Sequence, residues 1–271
     1  MITDITIGRF FPVKSFVHNL DARTKLVLTL ALLVFSIIIC KNAWSLLLLS
    51  VFSVVCYSLS KLKWKLVLKS IKPLIPIILL TSVLQLYFIK DGSVLVSLGK
   101  ISVTDTAVFT ALFVAVRVII LLVISSLLTY TTSPTDLTDG IEKLLSPLKV
   151  FKIDVQTFGT MTTIALRFIP TLIDEIDRIM SAQKARGADF ENGGLVKRIK
   201  SLFPIFIPLF VSALKHAYEL ADAMLCRCYT GDKRTRMRVM KFSWRDLAAT
   251  VAVVVVCGGA VVLNMLFPHL I

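Results

Sequence analysis

Ala107 to Tyr130 is an unbroken apolar stretch whose only charge is Arg117. At ~1.5 Å per helical residue it reaches about 36 Å, enough to cross the ~30 Å hydrocarbon core of a bilayer. Four more stretches share its character: Leu26 to Cys40, Ala43 to Ser60, Pro73 to Phe88 with Pro76 inside it, and Leu247 to Phe267. The first is short unless its neighbours extend it. Only Lys41 and Asn42 part it from the second, which predicts a tight hairpin across the membrane. The expected fold class is therefore all-α, a polytopic helical membrane protein with about five transmembrane helices. At 56% hydrophobic residues and a mean hydropathy of +0.83, the chain exceeds the 45 to 50% apolar content usual in soluble domains.

Charge predicts the orientation. If the five spans alternate, residues 1 to 25, 61 to 72 and 131 to 246 share one side with 27 Lys and Arg, against Lys41, Lys90 and Lys100 on the other. The two short basic stretches alone give 9 against 3. Short basic loops mark the cytoplasmic face, so a multi-pass protein of the cell membrane with a cytoplasmic N-terminus is expected. Arg9, Lys14, Arg23 and Lys25 are spread over mixed sequence, unlike the compact basic start of a cleaved signal peptide. The net charge of +14 is interleaved with spanning segments and lacks an aromatic stacking platform, so nucleic acid is not an expected partner, whereas the lipid bilayer is. Arg117 has two readings, a buried contact with a neighbouring helix or partner, or a side chain snorkelling to the interface.

The organisation expected is an N-terminal membrane domain over 1 to 131, a cytoplasmic region over 132 to 246, and a last transmembrane helix over 247 to 271. The middle region mixes 18 basic with 13 acidic residues and reads as amphipathic helix. Leu202 to Leu214 is too short and too interrupted by proline for an ordinary span. Both a bilayer and an interfacial placement fit that stretch and Val155 to Ile169. Ser133-Pro134 opens a helix with Asp136, Leu137, Ile141, Leu144 and Leu145, which stops at Ser146-Pro147. Pro170 is expected to open a second helix, with Asp174, Glu175 and Asp177 near its positive end and Ile173, Ile176, Ile179 and Met180 on one face. Gly187 is expected to end it in a left-handed cap, presenting Arg186 at the tip. A third helix is expected to open at Pro208, with Leu214, Ala217, Ala221 and Leu225 on a face and Arg227 near its end. The plain reading of both arginines is that they neutralise helix C-termini, worth roughly 0.3 to 1 kcal/mol each. The alternative is a bidentate grip on carboxylates in a partner.

Ser181-Ala182-Gln183-Lys184-Ala185-Arg186-Gly187-Ala188-Asp189-Phe190 resembles the first Ala-Arg-Gly signature of the transmembrane T components of energy-coupling-factor (ECF) transporters. Ile7-Gly8-Arg9-Phe10, His18-Asn19-Leu20-Asp21-Ala22-Arg23-Thr24-Lys25-Leu26, Leu166-Arg167-Phe168-Ile169-Pro170-Thr171-Leu172 and Ile205 to Ser212 are similar to the same family, so the likeness spans nearly the whole chain. The resemblance implies a scaffold joining two cytoplasmic ATP-binding subunits to a small membrane S component that captures a vitamin or metal. It implies the type shared by several vitamin S components, over one dedicated to cobalt or nickel. It also implies that the helices ending at Arg186 and Arg227 are coupling helices, with Ala185, Arg186, Gly187, Cys226, Arg227 and Cys228 meeting the ATPases. The second motif departs from the family's Ala-Met-Glu-Ala-Arg-Gly-Tyr, reading Ala223-Met224-Leu225-Cys226-Arg227-Cys228-Tyr229. Cys228 therefore puts a side chain where glycine would permit close backbone approach.

No Gly-x-x-x-x-Gly-Lys-Ser/Thr loop occurs in the sequence, so P-loop ATP hydrolysis is left to partners. His18, His216 and His269 form no His-x-x-x-His pair, and Cys226-x-Cys228 falls short of four metal ligands. The five cysteines indicate no disulfide framework. Gly193-Gly194 lacks the rest of a nucleotide fingerprint. No catalytic residue, metal or cofactor is expected. The competing class is a membrane-embedded enzyme using Asp136, Asp139, Asp174 and Asp177, carboxylates that helix starts otherwise explain. A self-sufficient carrier would need charged or broken helices paired at the midplane, for which only Arg117 and Pro76 speak.

Overall fold

The computed structural model describes residues 10–13, 15–40, 42–89, 94–98, 101–152, 154–188, 194–231 and 242–267. Ile7, Gly8, Arg9, Lys14, Lys41, Lys90, Lys100, Asp189, Phe190, Gly193 and His269 of the foregoing section lie outside them. The chain folds as two compact units, one formed by Gly8–Leu144 with Met240–Ile271 and the other built on Leu145–Val239.

The first unit is a helical membrane bundle. Its helices are α1 (Ala22–Ile38), α2 (Ala43–Leu59), α3 (Trp64–Ile71), α4 (Ile75–Phe88), α5 (Asp105–Thr131), α6 (Pro134–Leu144) and α9 (Trp244–Leu266). The 3-10 turn Lys72–Leu74 joins α3 to α4 without a break, so Trp64–Phe88 forms one helical rod longer than the expected Pro73 to Phe88. Pro73 and Pro76 fall second in the turn and second in α4, where the change from α-helix to 3-10 turn and back makes proline easier to accommodate than in a regular helix interior. Leu32, Leu46, Leu49, Phe113, Ile120, Ile124 and Val253 pack into one core drawn from α1, α2, α5 and α9. Outside it the bundle is apolar: Leu30, Ile37, Leu47, Val51, Leu79, Leu80, Val83 and Val254 are all about half exposed or more, as lipid-facing surfaces require. An antiparallel hairpin of β1 (Val94–Leu98) and β2 (Ile101–Thr104), absent from the expected elements, links α4 to α5. Its short β-branched strands are too brief to compete as sequence signals with the spans on either side.

Alternation of the spans holds within this unit. Lys25 Nζ donates to Thr131 O at 3.0 Å, joining the start of α1 to the end of α5. Ser70 and Tyr130 share a 2.6 Å hydroxyl contact, joining the first rod's opening turns to the same end. At the opposite end the Asn42 amide donates to Phe267 O, and Trp44 lies against the Phe267 ring. Arg117 takes the neighbouring-helix reading. Its guanidinium donates to Cys40 O, two residues past the end of α1, and stands 4.7 Å from the Phe113 ring centroid.

The second unit contains α7 (Val155–Ala185) and α8 (Leu195–Cys226), preceded by the 3-10 segment Ser146–Phe151. Pro170 and Pro208 do not open these helices, as sequence suggested; they lie inside them, with Pro204 as well. An internal proline forfeits a hydrogen bond and costs ~3 kcal/mol. The helices nevertheless continue because apolar residues on both sides of each proline fall on one stripe, and packing of that stripe outweighs local propensity. Asp174, Glu175 and Asp177 consequently stand in the middle of α7 and not in its first turn. The α8 face differs too: Leu214, Ala217, Ala221 and Leu225 are exposed, while Ile205, Leu209, Ala213, His216 and Leu220 are the less accessible ones. Among the described residues four helices are long and apolar enough to cross a membrane: Trp64–Phe88, Asp105–Thr131, Trp244–Leu266 and, contrary to the reading of Leu202 to Leu214, Lys200–Cys226; Ala43–Leu59 is a shorter apolar helix.

Candidate functional site

α7 and α8 pack side by side, and three contacts fix their direction. Gln183 Nε2 donates to Pro204 O at 3.5 Å, Ser212 Oγ donates to Glu175 Oε1 at 2.7 Å, and the Phe168 and His216 rings are 6.2 Å apart. Numbers fall on α7 as they rise on α8, so the pair is antiparallel. A cavity of about 210 Å³ between Ile164, Phe168 and Leu172 on one side and Ala213, His216 and Leu220 on the other continues the same register. Arg186 and Arg227 therefore occupy opposite ends of the pair, on the order of 40 Å apart along it by the helical rise.

The two ends are built alike. After α7, Gly187 N donates to Lys184 O at 3.0 Å and Ala188 N to Gln183 O at 3.0 Å. After α8, Cys228 N donates to Leu225 O at 2.9 Å and Tyr229 N to Met224 O at 3.0 Å. Both are the paired bonds of a Schellman cap, which satisfies the last orphan carbonyls. In each, the arginine is the C-cap residue, and the next residue takes a left-handed conformation, φ +87° at Gly187 and φ +57° at Cys228. The expectation of a left-handed cap at Gly187 holds, and Cys228 adopts the same conformation despite its Cβ. Ala185, Arg186, Gly187, Cys226, Arg227 and Cys228 are all exposed. Each guanidinium stands at the negative end of a long dipole with its donors unshielded, a geometry suited to a carboxylate-bearing groove.

The carboxylates of the enzyme reading do not form a comparable site. Asp136 and Asp139 belong to α6, Asp174 and Asp177 to α7, and no group of three or more His, Cys, Asp or Glu among the described residues is placed to hold a metal. Glu175 serves the helix pair, bonded to Ser212 and 3.9 Å from His216 Nδ1.

Sequence reasoning missed a second polar centre, in the membrane unit. Asp246 is 1% exposed at the start of α9. Its Oδ1 accepts from Asp21 N and Thr24 Oγ1, both at 2.8 Å, and its Oδ2 from Ser243 N at 2.8 Å. Lys25, 6% exposed, donates to His18 O and Thr131 O at 3.0 Å each. His18 is held between Ser15 Oγ at 2.7 Å and Phe11 O at 3.0 Å. Burial pushes the His18 pKa down, with the Lys25 charge adding to it against the ring's hydrogen bonding to the Phe11 and Tyr130 backbone. The signal available in the sequence was Ser243-x-x-Asp246, a capping box placed just ahead of an apolar span.

Comparisons with known proteins identify the family. The family model CbiQ, described as cobalt transport protein, matches residues 13–238. A protein of Ruminiclostridium cellulolyticum named energy-coupling factor transporter transmembrane protein EcfT is 43% identical over 98% of this chain and 100% of its own length. Proteins of the same name from Brevibacillus brevis and Acidaminococcus fermentans are 45% and 46% identical, covering 94% and 91% of this chain and 97% and 91% of their own. A multi-pass helical bundle, two arginine-tipped helices in an antiparallel pair and near full-length likeness to these relatives converge on one conclusion: the chain belongs to the CbiQ/EcfT family of transmembrane components of energy-coupling factor transporters.

Proposed function

We propose that this chain is the non-catalytic coupling component of an importer, transmitting the motion of two cytoplasmic ATP-binding subunits to a membrane S component that captures vitamins or other micronutrients. The observation that carries the reading is the pair of matching caps at opposite ends of α7 and α8. One helix end could grip one partner; two equivalent ends on the order of 40 Å apart suit two partners, or two copies of one. Ala185-Arg186-Gly187 and Cys226-Arg227-Cys228 are the docking tips, and each arginine enters a carboxylate-lined groove of one ATPase. A stiff helix gripped at its tip converts a rigid-body movement of the ATPase into displacement along its length.

The S component has a candidate surface on α8. Leu202, Phe203, Phe206, Ile207, Phe210 and Val211 are each more than half exposed and recur at helical spacing on one side. Such a stripe suits an apolar helical partner at the membrane. The N-terminus is cytoplasmic in this reading, because the basic loops and both tips then face the ATP-binding subunits. A dedicated cobalt or nickel system is the second reading, favoured by the description of the family model; the relatives' shared name favours the first.

The test is co-purification of the tagged chain from native membranes, comparing wild type with Arg186→Ala, Arg227→Ala and the double substitution, with ATPase activity measured on each preparation. Two ATP-binding subunits should accompany the wild type, and the double substitution should lose them. A wild-type chain that purifies alone and moves or converts a substrate unaided would sink the proposal.

A further inference from the structure

Three helices of the membrane unit converge on the first turn of α1. α5 ends there, because Lys25 holds Thr131 O. α9 begins there, because Asp246 accepts from Asp21 N and Thr24 Oγ1. α6 lies so close that a Cβ on Gly140 would stand 3.4 Å from the Ala22 carbonyl carbon, the Ala22 Cβ and the Arg23 nitrogen. The chain leaves this unit after α6 and re-enters it at α9. Both covalent links to the Leu145–Val239 segment are thus fastened to one turn.

Apolar packing is incomplete beside that junction. A cavity of about 290 Å³ opens beside it, with Lys25, Leu28, Thr131, Ala248, Ala252 and Leu59 among its lining. The side chains that line it lack protein neighbours on the open side, so apolar contact is reduced there. Hydrogen bonds to buried charged groups are shorter and stiffer links. The carboxylates of Asp136 on α6, Asp246 on α9 and Asp21 beside α1 also lie near enough to act on the Lys25 charge. Lys25 is thus bonded to the end of α5 and stands within electrostatic reach of carboxylates on α6, on α9 and at the cap of α1.

We infer that this buried clamp, Lys25 and Asp246 with Thr24 and Asp21, is the positioning element through which movement of the coupling helices reaches α1 and α5. The clamp touches no ATPase and no cargo; it acts by keeping α6 and α9 in fixed register with α1. The inference rests on the coupling function proposed above.

The test compares the complex, purified through a tag on this chain, for wild type, Asp246→Asn, Lys25→Met, Thr24→Val and Thr24→Ser. Hydrogen–deuterium exchange is followed by mass spectrometry with and without ATP plus vanadate. In the wild type, nucleotide should change exchange in α7 and α8 and also in α1 and α5. In Asp246→Asn, Lys25→Met and Thr24→Val the change should persist in α7 and α8 and be lost from α1 and α5, while Thr24→Ser, which keeps the hydroxyl, should restore it. Thr24→Val removes a single hydroxyl, so the comparison stands even where Lys25→Met fails to assemble. A nucleotide response that survives in α1 and α5 of the variants, that never reaches those helices in the wild type, or that vanishes from α7 and α8 as well overturns the inference alone. A wild-type chain without ATP-binding partners overturns the coupling function and the clamp together.

Discussion

The tip of α7 and the tip of α8 end with the same two backbone hydrogen bonds and the same C-cap arginine, yet one places Gly187 and the other Cys228 in the left-handed position. Glycine adopts that conformation without cost, whereas a residue with a Cβ gives up roughly 1–2 kcal/mol. The cap forms at Cys228 regardless, because the last carbonyls of α8 must be satisfied and the paired bonds do so. The shared geometry, rather than a shared letter, is what makes the two ends equivalent. What differs is the outer surface: a Cβ at Gly187 would meet nothing within 4 Å of this chain, so any demand for glycine there comes from the backbone or from a partner.

The comparison breaks most visibly at the arginines. Truncating one member of a buried, hydrogen-bonded charge pair costs about 2 to 5 kcal/mol, roughly 30-fold or more in affinity. Arg186→Ala and Arg227→Ala should each weaken retention of the ATP-binding subunits by at least that factor, and the double variant should abolish it. Surface-binding measurements on detergent-purified complexes would read the factor directly. If Arg227→Ala had no effect while Arg186→Ala abolished binding, the two tips would not be functional equivalents.

The next effect concerns where the tips lie. Glu175 accepts from Ser212 near the middle of the pair, so it sets the register that holds the ends apart. Glu175→Leu should leave the Ser212 hydroxyl unpaired and cost on the order of 1–2 kcal/mol. Spin labels at Arg186→Cys and Arg227→Cys, in a chain whose native cysteines are replaced, should give a distance near 40 Å with the parent Glu175, by the helical rise. Glu175→Leu should broaden that distribution. A sharp distance well below this would mean that the helices do not run antiparallel.

Much of this architecture was legible beforehand, for reasons that vary by region. The spans at 43–60, 107–130 and 247–267 could be read because lipid demands long apolar runs. The stop at Gly187 could be read because glycine takes the left-handed cap without steric cost. The starts of α7 and α8 could not, because Pro170 and Pro208 are strong local signals that the continuous stripes of Val155–Ala185 and Leu195–Cys226 override. For the same reason Asp174, Glu175 and Asp177 looked like first-turn residues. Asp246 escaped notice because its three donors come from Asp21, Thr24 and Ser243, two of them more than 200 residues distant in sequence. Pairings of that separation leave no periodicity to read.

The smallest effect is the most discriminating between the tips. Exchanging their left-handed residues, Gly187→Cys and Cys228→Gly, tests whether glycine matters to the helix or to its partner. The backbone strain of roughly 1–2 kcal/mol is offset by about 0.4–1 kcal/mol from the freedom glycine has in the unfolded chain. The net change in local stability should therefore be about 0.5–1 kcal/mol, unfavourable for Gly187→Cys and favourable for Cys228→Gly. Exchange rates of the capping amides, at Ala188 and Tyr229, would register it. If only the backbone is concerned, docking of the ATP-binding subunits should change by less than about fivefold in either variant, in line with that energy. A much larger loss in Gly187→Cys, with local stability little altered, would mean that the partner's groove approaches the α7 tip too closely for a side chain. The α8 tip, which already carries Cys228, would then have to meet a wider groove.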